Sequence, residues 1–161
     1  MRLFETAVLR VSKIMDVVGG TVLTLMMLIT VLDVVLRFFK KPITGTYELV
    51  FLGGAVVIGC AIPVTSWEGG HVCVDFLLEH FPKGVKKMIE VSTKCLGIAF
   101  FLLLGCNLFI LGQELLKSGE VSLTLHVPYY PAAFILGICA FVECLVLAML
   151  IAKIIRGGDH D

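Results

Sequence analysis

Four long runs of apolar residues, separated by short polar segments, dominate the chain of 161 residues. The runs cover residues 15–36, 47–67, 91–112 and 129–152. A helix needs about 20 residues to cross the hydrocarbon core of a bilayer, so each run is long enough to span it. Because the runs are continuous rather than alternating, they do not fit the strands of a membrane barrel. The pattern predicts an all-α integral membrane protein with four transmembrane helices, forming a single membrane domain over residues 1–161.

Residues 71–81, between the second and third runs, show a different pattern. Polar His71, Asp75 and Glu79 recur every four positions, and the apolar residues fall elsewhere around a helix. This periodicity is typical of a short amphipathic helix that lies in the membrane interface with its apolar side towards the lipid. An extension of a neighbouring transmembrane helix is the alternative. The apolar side of the interfacial helix would consist of Val72, Phe76, Leu77 and Phe81.

Composition agrees with a membrane location, and the positions of the charges indicate an orientation. The chain is 58% apolar and 16% charged, whereas a soluble domain carries about 25% charged residues. Its formal net charge is zero, so no basic surface indicates nucleic acid as a partner. With four spans, eight Lys and Arg residues flank the side that holds both termini, and four flank the other side. The positive-inside rule then places both termini in the cytoplasm.

Two pairs of polar residues lie within or beside the apolar runs. Glu143 is about 15 Å from the end of the fourth run at 1.5 Å per residue, a depth at which an ionised side chain is costly. Asn107 lies at a similar depth in the third run, so we predict a protonated Glu143 that is hydrogen-bonded to Asn107 or paired with another subunit. Glu143 would then have one of two roles: a structural one, in which its hydrogen bond holds two helices together, or a functional one as part of a proton relay. Asp33 and Arg37 are four residues apart, a spacing that favours an ion pair, with simple interfacial anchoring as the alternative.

No sequence pattern indicates catalysis or a bound cofactor. The chain contains no G-x-S-x-G, H-E-x-x-H or P-loop motif. Its four histidines lie outside the apolar runs, unlike haem ligands in a helical bundle, and its six cysteines form no C-x-x-C pair. The sequence therefore predicts a protein that is not an enzyme and has no metal or other cofactor. A free-standing small multidrug-type carrier and a redox-complex membrane anchor remain as alternatives.

Three short segments together resemble a known family. Residues 37–48, with Arg37, Pro42, Gly45 and Glu48, follow the pattern R-x4-P-x2-G-x2-E between the first two spans. Residues 70–75 read Gly-His-Val-Cys-Val-Asp, and residues 127–131 read Val-Pro-Tyr-Tyr-Pro at the start of the fourth span. In this order and spacing, the segments resemble the small membrane subunit, of the DctQ type, of tripartite ATP-independent periplasmic (TRAP) transporters. The resemblance covers nearly the whole chain, although Glu143 matches no feature of the family.

The resemblance implies a small permease subunit of a sodium-coupled, binding-protein-dependent transporter for carboxylate-bearing solutes such as C4-dicarboxylates. Its partners would be a large TRAP membrane subunit, a periplasmic solute-binding protein and the lipid bilayer of the bacterial cell inner membrane. The subunit would brace the large subunit, and its outer charges would help to dock the binding protein. We expect the partner-binding residues to be Arg37, Lys40, Lys41, Glu48, Lys117 and Glu120.

Overall fold

The computed structural model describes residues 2–68 and 83–155, which form four helices. All four are long and apolar enough to cross a membrane, which confirms the prediction from the apolar runs. The described residues contain no β-strand, and one isolated antiparallel bridge joins Val121 to Pro128. The predicted interfacial helix 71–81, with Val72, Phe76, Leu77 and Phe81, lies outside the described residues. The helices are α1 (Arg2–Phe38), α2 (Thr46–Trp67), α3 (Lys83–Ser118) and α4 (Tyr130–Ile155).

The helices α1 and α3 begin well before the apolar runs that they contain. With 37 residues, α1 is about 55 Å long, and α3, with 36 residues, is about 54 Å long. Both exceed the hydrocarbon thickness of about 30 Å. The polar turns at 2–14 and 83–90 contain no proline, and most of their residues favour helix, so the helix continues into the polar region. Hydropathy therefore marks where a span begins but not where its helix begins.

The central helix of the bundle is α4. It packs along both α3 and α2, while α1 packs mainly along α2. In the most apolar window of α4, 44% of the residues are buried, compared with 22% in α2 and 11% in α1 and α3. The outer faces of α1 and α3 therefore present apolar side chains that have no partner within the described part of the chain.

The two ends of the bundle differ in what they contain. The connections 39–45 and 119–129 lie together at one end, the loop end, where Glu48 of α2 contacts Leu125. Near the opposite end, Val8 at the start of α1 belongs to one buried cluster with Leu150 near the end of α4. Both described chain ends thus lie at this second, terminal end, as expected for four antiparallel spans.

Aromatic rings and glycines interlock where α3 packs on α4. The rings of Phe109 and Phe134 have their centroids 5.6 Å apart. A Cβ added at Gly137 would lie 2.8 Å from Phe109, and one added at Gly112 would lie 2.9 Å from Phe134. Each glycine therefore makes room for a ring of the facing helix, which allows the close helix contact that stabilises bundles in lipid.

Candidate functional site

The carboxylate of Asp33 organises the connection between α1 and α2. Arg37 donates from Nε and Nη2 to Oδ2, each at 2.8 Å, and the backbone N–H of Ile43 donates to Oδ1 at 2.8 Å. Thr46, which is buried, donates from Oγ1 to the carbonyl of Ile43 at 3.1 Å. The side chain of Asp33 is only 5% exposed, whereas that of Arg37 is 46% exposed. The predicted Asp33–Arg37 ion pair is confirmed, and the same carboxylate also closes the turn.

Glu48, in the first turn of α2, holds the connection between α3 and α4. Its Oε2 accepts hydrogen bonds from the hydroxyl of Ser122 and from the backbone N–H of Leu125 at 3.1 Å. Its Oε1 accepts from the backbone N–H of Thr124 at 3.0 Å. Hydrogen bonds to an ionised carboxylate are roughly twice as strong as those between neutral groups. The side chain of Glu48 therefore holds the connection between α3 and α4 against the start of α2, although the two segments are more than 70 residues apart in sequence.

Gly45 allows the two connections to come together. Its φ of 86° lies in the left-handed region, which glycine adopts without a steric penalty. A Cβ at this position would overlap the side chain of Leu125. The R-x4-P-x2-G-x2-E pattern thus has structural reasons at three of its positions: Arg37 pairs with Asp33, Gly45 admits Leu125, and Glu48 binds the second connection.

The structure divides the six predicted partner-binding residues into two groups. Arg37 and Glu48 are engaged within the chain, Arg37 also lying over the ring of Tyr47 at 5.6 Å from its centroid. The other four are exposed near the loop end and form no ion pair with another described residue. Lys40 adopts a left-handed φ of 56° in the tight turn after α1. Of the six predicted residues, the charges available to a partner are those of Lys40, Lys41, Lys117 and Glu120.

Glu143 is buried near the terminal end and contacts α2. Its side chain is 1% exposed, and Ser66 donates a hydrogen bond of 2.5 Å from Oγ to Oε1. Its second oxygen, Oε2, has no hydrogen-bond partner among the described residues. Lys94, a nearby cation in sequence terms, is paired with Glu90 at 2.9 Å. Within the described chain, a single hydroxyl therefore bonds one oxygen of this buried carboxyl group and leaves the other unsatisfied.

The predicted hydrogen bond between Glu143 and Asn107 is wrong. Asn107 is exposed and donates from Nδ2 to the carbonyl of Leu103 in its own helix at 2.8 Å. Two positions correspond to about 200° around a helix, and Gly105, two positions earlier, packs against Phe141 of α4. Asn107 consequently lies on the face of α3 that points away from the bundle. Equal depth in two antiparallel spans was insufficient to predict contact, because contact also depends on the rotation of each helix.

No sequence pattern identifies the serines that bond to the two glutamates. Ser66 and Ser122 each contact a glutamate that is more than 70 residues away in sequence. A serine in an apolar helix or a short loop is common and carries no pattern of its own. The one available signal was a buried carboxylate that needed a donor, and this signal does not indicate which of several hydroxyls supplies it.

The four spans define a multi-pass helical membrane protein. The polar contacts at its loop end join the connections between its own helices. The family described as tripartite ATP-independent periplasmic transporters, DctQ component, matches residues 26–157, from the second half of α1 to beyond the end of α4. The chain therefore belongs to the DctQ family of TRAP transporter small permease subunits. This is a family of transporter subunits rather than enzymes, and it works with a large membrane subunit and a periplasmic binding protein. A comparison with curated proteins gives no match.

Proposed function

We propose that the chain is the small permease subunit of a sodium-coupled, binding-protein-dependent TRAP transporter for carboxylate-bearing solutes. The family match over residues 26–157 is the observation that carries this proposal. The excess of Lys and Arg on the side of the termini supports a multi-pass location in the bacterial inner membrane with both termini in the cytoplasm. In this orientation the loop end faces the periplasm, where the solute-binding protein would approach.

The role of the chain in that transporter is to brace the large membrane subunit. Among the described residues, the buried ionisable side chains are those of Asp33 and Glu143, which lie towards opposite ends of the bundle. Two such groups, each held by neighbouring residues, do not line an aqueous route for a charged solute. The outer faces of α1 and α3 offer apolar surface to the lipid and to partner helices. This combination favours a static scaffold over a carrier.

Uptake by reconstituted vesicles tests the proposal. Vesicles that contain the large subunit and this chain, supplied with the binding protein, should accumulate a labelled C4-dicarboxylate when a sodium gradient is imposed. We expect uptake to be lost when this chain is omitted or when the gradient is collapsed. Uptake by this chain alone would refute the brace and favour a free-standing carrier. Uptake that survives collapse of the sodium gradient would refute only the coupling.

The predicted interfacial helix contributes to the brace by resisting tilt of the bundle. Replacement of Phe76, Leu77 and Phe81 with serine removes the apolar side by which it would lie on the lipid. We expect reduced uptake in the vesicles while the assembled complex still copurifies. Unchanged uptake in an intact complex would show that this segment does not serve the brace.

The outer face of α3 is the surface that we expect to meet the large subunit. Asn107 lies within about 5 Å of the middle of the uncharged stretch between Lys94 and Glu114, at 1.5 Å per residue. The described residues bond only one N–H of the Asn107 amide group. The amide oxygen of Asn107 would therefore face hydrocarbon without a hydrogen-bond donor. By contrast, the exposed hydroxyls of Thr21 and Thr24 on α1 bond back to their own helix. A partner helix that hydrogen-bonds Asn107 would remove this cost.

Copurification distinguishes the two faces. Asn107→Leu should weaken retention of the large subunit in detergent, because an interhelical hydrogen bond and its specificity are lost. Thr24→Val on α1 is the matched control, since its hydroxyl is already satisfied, and should leave retention unchanged. Equal retention in both variants would exclude Asn107 from the interface, and self-association of this chain through Asn107 would identify a second copy as the occupant instead.

The exposed charges at the loop end are the surface that we expect to steer the binding protein. Charge reversal at Lys40 and Lys41 should slow association with the binding protein and reduce its dependence on salt, since surface charges mainly affect the encounter rate. Reversal of Lys117 and Glu120 together keeps the net charge and tests position rather than total charge. If uptake and its salt dependence stay at the level of the unchanged protein in all these variants, the charges serve only to set topology.

A further inference from the structure

Two buried oxygen atoms lack a hydrogen-bond partner among the described residues: Oγ of Ser12 and Oε2 of Glu143. Each residue is only 1% exposed, so neither group can turn to bulk water. A buried polar group without a partner destabilises the folded state, and such groups are rare in folded proteins. If the two atoms lie close together, one shared hydrogen-bond partner can satisfy both.

Contacts on either side of Ser12 and Glu143 put the two residues at the same level of the bundle. Val8, one turn before Ser12, is in contact with the buried cluster that Val146, Leu147 and Leu150 of α4 form, and Leu147 lies one turn after Glu143. Because α1 and α4 run in opposite directions, one turn on each helix leads from that contact to Ser12 and to Glu143. A second contact further along agrees: a Cβ at Gly19 would lie 3.2 Å from Cys60.

That second contact continues from α2 to α4. Cys60 lies 3.9 Å, Sγ to Sγ, from Cys139, which is one turn before Glu143. The level of Glu143 is thus enclosed between two layers in which α1, α2 and α4 meet. Ser66 of α2 occupies this level as well, since it donates to Glu143 directly.

The hydroxyl of Ser12 also behaves differently from the others on its helix. Thr21, Thr24 and Thr30 are exposed, and each donates to the carbonyl four residues earlier at 2.8–2.9 Å. Ser12 could make the same bond to Val8 but does not, and it lies on the side of α1 that faces the bundle. Its hydroxyl is consequently available to a group in the interior.

We propose that Ser12, Ser66 and Glu143 form one buried polar site that binds a single water molecule between Ser12 Oγ and Glu143 Oε2, linking α1, α2 and α4. In this site Glu143 is a neutral carboxylic acid: Oε1 accepts from Ser66, and the O–H at Oε2 donates to the water, which donates to Ser12. An ionised carboxylate with one hydroxyl donor and no cation would lack the compensation that buried charge requires. The nearby cations do not supply it: Lys94 is paired with Glu90, Lys153 is exposed and lies over the ring of Trp67, and Arg10 and Lys13 are exposed.

The site fixes the N-terminal half of α1 to α2 and α4. Buried waters commonly join buried polar groups that would otherwise be unsatisfied, and they are costly to remove. The proposal concerns the chain's own structure and does not depend on which solute is transported or on which partner is bound.

Infrared spectroscopy of the full chain in a detergent that contains no ester groups tests the proposal directly. A neutral carboxylic acid gives a C=O stretching band apart from those of carboxylates and amides. We expect such a band in the unchanged protein, its loss in Glu143→Gln, and its persistence in the control Glu114→Gln, which alters an exposed residue. Ser12→Ala should shift the band, because the water loses one of its partners. A missing band, or a band that Ser12→Ala leaves in place, would overturn the site.

A double-mutant cycle gives a second readout that does not depend on band assignment. Ser12→Ala and Glu143→Met should each lower Tm in detergent, because neither new side chain can bond the water, and the double variant should lose less than the sum of the two losses. Thr24→Ala replaces Ser12→Ala in the control cycle and should be additive with Glu143→Met, since the hydroxyl of Thr24 bonds to its own helix. Additive losses for Ser12 and Glu143 would show that the two residues do not share a site.

Discussion

The two ends of the bundle use carboxylates in opposite ways. At the loop end, both oxygens of Asp33 and both oxygens of Glu48 accept hydrogen bonds, several of them from backbone N–H groups. Near the terminal end, Glu143 is held by one hydroxyl, and its other oxygen has no partner among the described residues. Donors that surround a carboxylate stabilise its charge, whereas burial with one donor favours the neutral acid. The loop-end carboxylates therefore shape connections, and Glu143 joins helices.

This contrast makes glutamate-to-glutamine changes informative, because glutamine keeps the shape of the side chain but replaces one acceptor oxygen with a donor group. Where hydrogen-bond donors surround both carboxylate oxygens, the new NH2 group faces other N–H or O–H groups and cannot accept from them. At a site with one donor, the remaining amide oxygen still accepts. The same substitution should therefore destabilise the loop end more than the terminal end.

The largest effect is expected for Glu48→Gln. Its amide nitrogen must face either the backbone N–H of Thr124 or the hydroxyl of Ser122 and the backbone N–H of Leu125. The hydrogen bonds that hold the connection between α3 and α4 are therefore lost on one side. We expect a drop of several degrees in Tm and faster hydrogen exchange at the amides of Thr124 and Leu125. Glu120→Gln is the matched control and should change neither quantity. Unchanged exchange at Thr124 and Leu125 would show that Glu48 does not hold this connection.

A smaller effect is expected when alanine replaces the left-handed glycines at this end. Gly119, with φ 67° and open space around its Cβ position, should lose only the cost of the left-handed backbone, about 1–2 kcal/mol. Gly45 bears the same backbone cost and an added overlap with Leu125, so Gly45→Ala should destabilise the protein more than Gly119→Ala. Chemical denaturation of the two variants in the same detergent measures the difference. Equal losses would mean that Leu125 does not pack over Gly45.

The smallest effect is expected for Glu143→Gln at the terminal end. The amide oxygen still accepts from Ser66, and the NH2 group takes the place of the acid O–H, so the loss should be within about 1 kcal/mol. Thermal unfolding beside Glu48→Gln gives the comparison in one experiment. A loss at Glu143 equal to or greater than that at Glu48 would indicate an ionised Glu143 and would reverse the contrast between the two ends.

Local patterns predicted the features of the loop end that lie close together in sequence. The spacing of Asp33 and Arg37 was sufficient to predict their ion pair, since residues four apart are neighbours on any α-helix. The R-x4-P-x2-G-x2-E pattern indicated that Gly45 and Glu48 matter, and it supported the family resemblance. It did not indicate that Glu48 binds residues 122–125, because nothing in a short motif specifies a contact across more than 70 residues.

The sequence by itself determined four membrane spans and the DctQ family, because the length and apolarity of a span are properties of consecutive residues. Tertiary structure decided that α4 is central, that Asn107 faces outward and that Ser66, rather than Asn107, bonds to Glu143. The physical reason is that these spans are apolar on nearly every side, so no amphipathic pattern records how each helix is rotated. Only the packing of rings, glycines and buried hydroxyls between helices fixes that rotation, and with it the partners of the polar groups.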